Sequence, residues 1–322
     1  MNGQMRTAIV DRYGPPETVR IATAPIPTPR AGEVLVRVEA AAVTSGDARL
    51  RSGRFPRGFA FPARLAIGVR GPRRKVPGVV FTGEVASRGD GVDDVDDVAL
   101  GDRVAGLTGA RLGAHAEYVV VRASAAAVIP EGVTAADAAA ALFGGSTALS
   151  FLVHRARIQQ GQRVLINGGS GSVGTAAIQL AARAGAAVTA LSSAPNHELL
   201  RRLGAAETID YRTTPIETLP QRFDAVLDAV GNVRRADGLR LTDPNGVVML
   251  AVAGLWDTAT ARGRVIAGPV PERREDFATI LDLIAKGDFD PLTEVVGGLD
   301  ALPEAHRRID TGRKVGNLVI TL

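Results

Sequence analysis

The feature that most constrains the fold is the stretch at residues 163–174, RVLINGGSGSVG, where an apolar run stops at a cluster of glycines. The apolar run predicts a buried strand, and apolar residues at helical spacing from position 173 to 181 predict a helix directly after it. Between the two, Gly169, Gly171 and Gly174 form the pattern GxGxxG. In this setting the glycines permit a tight turn, close approach of backbone to a pyrophosphate, and close packing of helix on strand. The stretch therefore predicts a dinucleotide site, with the phosphates at the free N–H groups of the helix.

The sequence pattern changes along the chain. Residues 7–121 contain short strands separated by Pro and Gly, the clearest being EVLVRVE at 33–39, and they predict an all-β module of the partly open barrel type. Strands and helices alternate from position 163 to 267, which predicts a doubly wound parallel sheet. The β-rich tail at 315–322 is expected to rejoin the barrel. The predicted domains are therefore residues 1–122 with 271–322, and residues 123–270.

A helix rich in alanine is predicted between the barrel and the parallel sheet. It starts at Thr134, which forms a capping-box-like pair with Asp137, and it runs to about Phe143. Residues 144–147, GGST, are expected to interrupt it before a second apolar segment.

Composition excludes several classes of site. The 322 residues contain no cysteine, which excludes disulfides and every zinc site that needs thiolate ligands. The four histidines, His115, His154, His197 and His306, are scattered, so no metal site is predicted. No apolar run reaches the roughly 18 residues of a membrane span, and the N-terminus is too polar for a signal peptide. A cytoplasmic protein that does not bind membranes is expected.

One feature of the charge pattern, a basic stretch, has two interpretations. The net charge is +4, but the excess rests on arginines spread along the chain, so no nucleic-acid partner is predicted. Residues 48–83 contain nine basic residues and no acid, which fits either a solvated loop or an anion-binding rim. The acidic run at 90–97 lacks the spacing of a calcium loop and predicts an exposed turn. The nine basic residues are Arg49, Arg51, Arg54, Arg57, Arg64, Arg70, Arg73, Arg74 and Lys75.

The sequence resembles the medium-chain dehydrogenase/reductase superfamily, and within it the zinc-free branch of quinone oxidoreductases and alkene reductases. The resemblance runs nearly end to end. It is carried by AGEVLVRVEAAAVTSGDARLRSG, GDRVAG, GAHAEYVVV, AAAALFGGSTAL, GQRVLINGGSGSVGTAAIQLAARAGA, LRRLGAAETIDY, FDAVLDAVG and KVGNLVITL. It implies a GroES-like partly open β-barrel domain, a Rossmann doubly wound parallel-sheet domain, a cofactor cleft between them, and a homodimer.

The departures from the family pattern bear on function. Zinc-dependent relatives carry a cysteine near the 44–47 turn and Gly-His-Glu where this chain has Pro77 and Gly78. The zinc-free branch usually has Asn at the position of Thr44. Enoyl reductases place a tyrosine, a proposed proton donor, where this chain has Phe55.

The resemblance also implies site residues. Catalytic candidates are Thr44, Asp47 and Thr147. Thr147 would either bond the nicotinamide or its ribose, or cap a helix turn. Asp47 would either orient a turn beside the nicotinamide or simply form that turn. The predicted cofactor-binding residues are Thr147, Gly169, Gly171, Ser172, Val173, Gly174, Ser192, Ser193, Asn196, Tyr211, Val230 and Ala253.

The end of the second predicted strand of the parallel sheet decides the cofactor. An acid there hydrogen-bonds the ribose 2′-OH of NAD and repels the 2′-phosphate of NADP. Residues 191–193, LSS, carry no acid, so NADP(H) is predicted. The family usually grips this phosphate with a basic residue near positions 195–196, which are neutral here. Arg201, Arg212 or Tyr211 are the possible substitutes.

These features predict a zinc-independent, NADPH-dependent oxidoreductase that passes a hydride to a small-molecule quinone or to an activated alkene such as an enone. The alternative is an NADPH-binding sensor or structural protein with little turnover, which the changes at Thr44 and Phe55 motivate. No Ser-His-Asp set has credible spacing.

Overall fold

The computed structural model describes residues 3–92, 98–219 and 222–322. It divides into two compact units. The first comprises the chain up to Phe55, Ala60–Phe143 and Glu272–Leu322, and the second comprises Pro56–Phe59 and Gly144–Pro271. Most of the acidic run at 90–97 lies outside the described residues.

The order of the elements follows the sequence pattern: short strands dominate the first part of the chain, and strands alternate with helices in the second. The first stretch contains β1 (Gln4–Val10), β2 (Val19–Pro25), β3 (Glu33–Val43), α1 (Ser45–Ser52), α2 (Ala60–Ile67), β4 (Val80–Arg88), β5 (Arg103–Leu107), β6 (Tyr118–Arg122), β7 (Ala126–Val128) and α3 (Ala135–Leu149). The second contains β8 (Arg163–Asn167), α4 (Ser172–Arg183), β9 (Ala187–Ser192), α5 (His197–Arg202), β10 (Glu207–Asp210), β11 (Phe223–Asp228), α6 (Arg235–Leu241), β12 (Thr242–Leu250), α7 (Leu255–Ala259) and β13 (Val265–Ala267). The tail contains α8 (Arg274–Ala285), β14 (Thr293–Gly297), α9 (Leu302–Asp310) and β15 (Asn317–Thr321).

The first unit is built on a sheet in the order β14-β15-β3-β4-β5-β7, with β6 also paired to β3. Its central strand β3 buries Val34, Val36 and Val38, because alternate side chains of a strand share one face. The tail returns to this sheet, since β15 runs antiparallel to β3 with Leu318 opposite Val43. The prediction that the tail rejoins the barrel is confirmed.

The second unit contains a parallel sheet in the order β10-β9-β8-β11-β12-β13. This is the Rossmann order, and it reverses direction between β8 and β11. In open sheets of this kind ligands bind outside the carboxyl ends of the strands at the reversal. The predicted fold class, a GroES-like barrel with a doubly wound Rossmann sheet, is confirmed.

Helix α3 corrects one expectation from the sequence. It continues through Gly144 and Gly145 to Leu149 and ends in a π-helical turn over Ser150–Arg155. A Cβ on Gly144 would lie 2.3 Å from the carbonyl oxygen of Ser172, so the glycine permits close packing instead of breaking the helix. Among the described residues, one helical run, Ala135–Arg155, is long and apolar enough to cross a membrane by length and composition alone, and 72% of an 18-residue stretch of it is buried inside the protein. Most of this helix is therefore packed inside the protein, as a core helix is.

A buried ion pair ties α1 to α9 in the first unit. Arg51 is 1% exposed, and its guanidinium donates to both carboxylate oxygens of Asp310 at 2.7 Å and to the Gly14 carbonyl at 2.6 Å. Arg54 shares Asp310, and Lys75 pairs with Asp11. Part of the basic stretch is thus neutralised within the protein.

We expect the Asp310→Ala substitution to lower the free energy of unfolding by about 3 to 5 kcal/mol, because it leaves the Arg51 charge buried without its partner. The matched control is Asp300→Ala. Asp300 pairs with Arg6 at 2.7 Å, but both side chains are more than half exposed, so the cost should be about 1 kcal/mol or less. Urea denaturation measures both. Equal, small losses would show that the buried pair contributes little to stability.

Candidate functional site

Main-chain hydrogen bonds hold the turn that follows β8. The left-handed residue is Gly168, with φ of +84°, and its carbonyl accepts the Gly171 N–H at 3.1 Å. Gly169, whose N–H donates to the Leu191 carbonyl at 2.9 Å, ties the turn to β9. Gly168 was not among the residues predicted from the sequence, although its place directly after the strand was the available signal.

The third glycine of the motif sets how closely α4 approaches the strand. A Cβ on Gly174 would lie 2.1 Å from the Gly168 carbonyl oxygen. Gly169 is also enclosed, because a Cβ there would lie 3.1 Å from Leu200 and 3.2 Å from Ala190. Packing therefore requires glycine at position 174, whereas a side chain at position 169 would need its neighbours to shift by a few tenths of an ångström.

Gly171 is different, because its surroundings are open. A Cβ there would meet only the Gly168 carbonyl oxygen, at 3.6 Å. Gly171 is the N-cap of α4, and no side chain caps the helix. The N–H groups of the first helical turn, which includes Ser172 and Val173, have no acceptor within the helix. Open space in front of such groups suits a phosphate.

The loop after β9 carries three of the predicted cofactor residues. The Asn196 side-chain amide donates to the Ser192 hydroxyl oxygen at 3.0 Å and to the Ser193 hydroxyl oxygen at 3.2 Å. Because both oxygens accept from Asn196, each hydroxyl hydrogen is available to donate to another acceptor.

An acid that the sequence analysis missed lies beside this loop. Asp210, at the end of β10, is in register with Ser192. Its carboxylate accepts the N–H groups of Arg212 at 2.9 Å and Ala194 at 3.2 Å, and the Arg212 N–H bond is the main cause of a lowered pKa for Asp210. Tyr211 follows, 49% exposed. The Arg212 guanidinium lies 6.0 Å from the centre of the Tyr211 ring, so positive charge accompanies the carboxylate.

A second missed acid, Asp228, organises the loop after β11. It is 1% exposed, and its carboxylate accepts the N–H groups of Val230 at 2.9 Å, Gly231 at 3.1 Å and Val233 at 3.0 Å. The side-chain amide of Asn167, at the end of β8, donates to the same carboxylate at 2.9 Å. The sequence signal was an acid ending an apolar run, in VLDAVG.

The network of Asp228 places predicted residue Val230 against the glycine turn. A Cβ on Gly168 would lie 2.6 Å from a methyl carbon of Val230, and Val230 is 48% exposed. Ala253 lies after β12 and packs on the small core around Val248. Thr147 lies inside α3, near its end. The second unit therefore brings the loops after β8 and β11 together at the reversal of the sheet.

Thr44 and Asp47 lie in the first unit and are hydrogen-bonded to each other. The Thr44 hydroxyl donates to the Asp47 carboxylate at 2.6 Å and accepts the Asp47 N–H at 3.2 Å, while the Thr44 N–H donates to the same carboxylate at 2.8 Å. Asp47 is fully buried and also accepts the Gly78 N–H at 3.2 Å. The pair forms a capping box at the start of α1. Catalytic roles for both stay a prediction.

Two histidines are buried within the first unit. His115 and His306 are both fully buried, and burial is the main cause that lowers the pKa of His306 to about 3. His115 is hydrogen-bonded through its ring to the Ala42 carbonyl at 3.1 Å. Among the described residues, no group of three or more His, Asp or Glu side chains is placed to hold a metal ion.

Two protein families match the chain, one over its β-rich first part and one over its later part. The family described as Alcohol dehydrogenase GroES-like domain matches residues 30–131, and the family described as Zinc-binding dehydrogenase matches residues 203–320. The chain belongs to the medium-chain dehydrogenase/reductase superfamily. The resemblance to this superfamily inferred from the sequence is confirmed.

Three relatives from the superfamily illustrate its range. The chain is 29% identical over 321 residues to the 2-methylene-furan-3-one reductase of Solanum lycopersicum, covering 96% of this chain and 76% of the relative. It is 32% identical over 240 residues to the chloroplastic NADPH-dependent alkenal/one oxidoreductase of Arabidopsis thaliana, covering 72% and 59%. It is 32% identical over 306 residues to erythronolide synthase EryA2 of Saccharopolyspora erythraea, covering 91% of this chain but 8% of that protein. The chain thus spans less than two thirds of two of these relatives.

Solved structures share the whole fold. The quinone oxidoreductase from Coxiella burnetii matches with a TM-score of 0.88 at 27% identity, over 99% of this chain and 100% of that chain. A mycobacterial superfamily protein complexed with NADPH matches with a TM-score of 0.78 at 27% identity, over 99% and 100%.

The surroundings of Gly171 and Gly174 predict opposite effects of substitution. Gly171→Val should leave the thermal midpoint nearly unchanged and weaken dinucleotide binding at least about tenfold, because the side chain would fill the open space before α4. Gly174→Ala should instead lower the free energy of unfolding by about 1 to 3 kcal/mol, because its Cβ would meet backbone. Thermal melts and cofactor titration separate the two. Undiminished binding by a folded Gly171→Val protein would contradict the site.

Proposed function

We propose that this protein is a zinc-independent, NADPH-dependent reductase that passes a hydride to a quinone or to an activated alkene. The observation that carries the proposal is the open glycine turn before α4, at the carboxyl ends of the parallel strands. The names of the relatives support the same class: a quinone oxidoreductase, an alkenal/one oxidoreductase and a furanone reductase.

The residues of the second unit fit NADP(H). Gly171 and the first turn of α4 would receive the pyrophosphate, because backbone N–H groups face open space there. The hydroxyl groups of Ser192 and Ser193 would donate to the 2′-phosphate, since Asn196 occupies their oxygens. Arg212 would add positive charge nearby. The Asp210 carboxylate is held by two backbone N–H groups, which reduces its repulsion of a phosphate.

A change of charge on this loop tests the choice of cofactor. Ser193→Asp should shift preference away from NADPH and towards NADH by at least about tenfold, because a carboxylate about 4 Å from a phosphate charge costs roughly 1 kcal/mol in water and about 4 near a protein surface. Ser193→Asn is the matched neutral control. Dissociation constants for both cofactors in the three proteins measure the effect. A wild-type protein that prefers NADH would contradict the assignment.

When bound, the nicotinamide supplies the hydride. The chain's own part is to position the acceptor, exclude water and stabilise the charge that develops on the acceptor oxygen. Hydride addition to a quinone also requires protons on oxygen atoms, and water can supply them. Hydride addition to an alkene requires a proton on carbon, for which a positioned acid helps.

The surroundings of Phe55 favour the quinone. Phe55 carries no hydroxyl, and its ring meets the Tyr13 ring edge-on with centres 6.3 Å apart. The Tyr13 hydroxyl donates to the Gly68 carbonyl at 2.7 Å, and burial raises its pKa. Neither ring therefore presents a free phenol.

We expect the wild-type protein to reduce a small quinone with a much higher kcat/KM than an enoyl thioester. Phe55→Tyr should raise alkene reduction by about 10² to 10⁴, the usual gain from a general acid, and leave quinone reduction nearly unchanged. Steady-state kinetics with both acceptors in both proteins measure the change. A wild-type preference for the enoyl thioester would move the function to alkene reduction, and cofactor binding without any turnover would favour the sensor alternative.

The proposal also covers the oligomeric state and the location of the protein. Strand β13 ends the parallel sheet and pairs only with β12 within the described chain. We propose that two copies pair at this edge, because an unpaired apolar edge invites association. A cytoplasmic location is proposed with it.

A further inference from the structure

Helix α2 is apolar, yet it has no buried residue. All but one of its eight residues, AFPARLAI, are apolar. Phe61 is 76% exposed and Leu65 is 53% exposed, and because they are four residues apart they share one face of the helix. Val69, just after the helix, is 61% exposed. Helices that are apolar on all sides are ordinarily buried, so the exposed side chains of Phe61, Leu65 and Val69, the α2 patch, indicate a binding surface.

Hydrogen bonds fix the segment that carries the α2 patch to the rest of the first unit. The Tyr13 hydroxyl donates to the Gly68 carbonyl at 2.7 Å, and the Arg73 N–H donates to the Ile67 carbonyl at 2.7 Å. The Arg64 guanidinium lies 5.7 Å from the centre of the Tyr13 ring. The end of the helix is therefore held by its backbone and by Arg64, while its apolar side chains stay in solvent.

The charge beside the α2 patch is positive. Residues 60–75 contain four arginines, one lysine and no acidic residue. Lys75 pairs with Asp11, whereas Arg70 and Arg74 are exposed and form no ion pair within the part of the chain that the structure describes. An apolar helix flanked by cations matches a surface that combines hydrocarbon with anionic groups.

Charge and area distinguish the partners that could cover the α2 patch. In a twofold pair of copies the same surface meets itself, so arginines would face arginines. Three exposed side chains also supply far less than the ~800 Å² that each partner buries in a standard protein interface. A lipid surface needs neither a matching shape nor a self-complementary charge, and its phosphates are the anions that the arginines suit.

We propose that the α2 patch docks this protein on the surface of an anionic lipid bilayer. Phe61, Leu65 and Val69 enter the boundary between headgroups and acyl chains, and Arg70 and Arg74 contact lipid phosphates. The helix is already folded and fixed, so docking costs little ordering of the chain. The expectation that the protein does not bind membranes rested on the lack of a spanning segment and a signal peptide, and a helix that lies on the surface needs neither.

The test measures sedimentation of the whole chain with lipid vesicles, in the absence of cofactor and acceptor, so its result does not depend on the proposed reaction. We expect vesicles of phosphatidylcholine with about one third phosphatidylglycerol to bind the protein at least about tenfold more tightly than vesicles of phosphatidylcholine alone. High salt should weaken this binding, because it screens the attraction between the arginines and the lipid phosphates.

Substitutions of apolar residues test the contact with hydrocarbon. Phe61→Ser combined with Leu65→Ser should weaken binding to the mixed vesicles at least about tenfold, because two apolar side chains no longer leave water. Leu100→Ser is the matched control. Leu100 is 65% exposed in the same unit, but its neighbours in sequence include Asp102 and the acidic run at 90–97, so binding should change by less than about twofold.

Substitutions of arginines test the contact with lipid phosphates. Arg70→Gln combined with Arg74→Gln should weaken binding to the mixed vesicles at least about tenfold and reduce its dependence on salt. Arg122→Gln is the matched control, because Arg122 is also exposed but lies at the end of β6. All four variants should keep the thermal midpoint of the wild type, since exposed side chains are changed.

Three results would overturn the proposal: no binding to either kind of vesicle, equal binding to both kinds, or binding that the double change at Phe61 and Leu65 leaves intact. Self-association that this double change abolishes, without any binding to vesicles, would identify a second copy of the chain as the occupant and would also overturn it. Capture by the mixed vesicles that both double changes weaken, and both controls preserve, would support docking on an anionic bilayer.

Discussion

The candidate site depends on a contact between two backbones. Helix α4 approaches the end of β8 so closely that Gly174 faces the carbonyl of Gly168 without room for a side chain. This contact fixes where the first turn of α4 begins, and therefore where its N–H groups lie. The space in front of Gly171 is open, since a Cβ there would meet only the Gly168 carbonyl oxygen. The proposed pyrophosphate position follows from that arrangement.

Two buried carboxylates, Asp228 and Asp47, each hold a segment of main chain in place by accepting hydrogen bonds from its N–H groups. Asp228 holds the loop after β11 through three backbone N–H groups, and Asp47 holds the start of α1 and the Gly78 N–H. Each carboxylate fixes a loop by accepting from main chain, as buried acids must be satisfied. Because both carboxylates are occupied by main-chain N–H groups, their charge serves the structure of the loops.

The sequence predicted the architecture because its signals were local: strand alternation, the strand–glycine–helix order and the alternation of strands with helices. The predictions from the sequence failed where contacts between residues distant in the chain determine the local structure. Gly144 appeared to be a helix breaker, but it permits contact with Ser172, which is remote in sequence. Gly168 takes the left-handed conformation that the motif spacing did not reveal. Asp210 and Asp228 acquire their roles from strands that pair only in the folded sheet.

We propose that this protein uses NADPH, without a metal, to reduce a quinone. The most direct measurement is the loss of NADPH absorbance with a neutral quinone as acceptor, in the presence and absence of a strong chelator. We expect quinone-dependent oxidation of NADPH at the same rate in both conditions. Activity that disappears with the chelator and returns with zinc would contradict it.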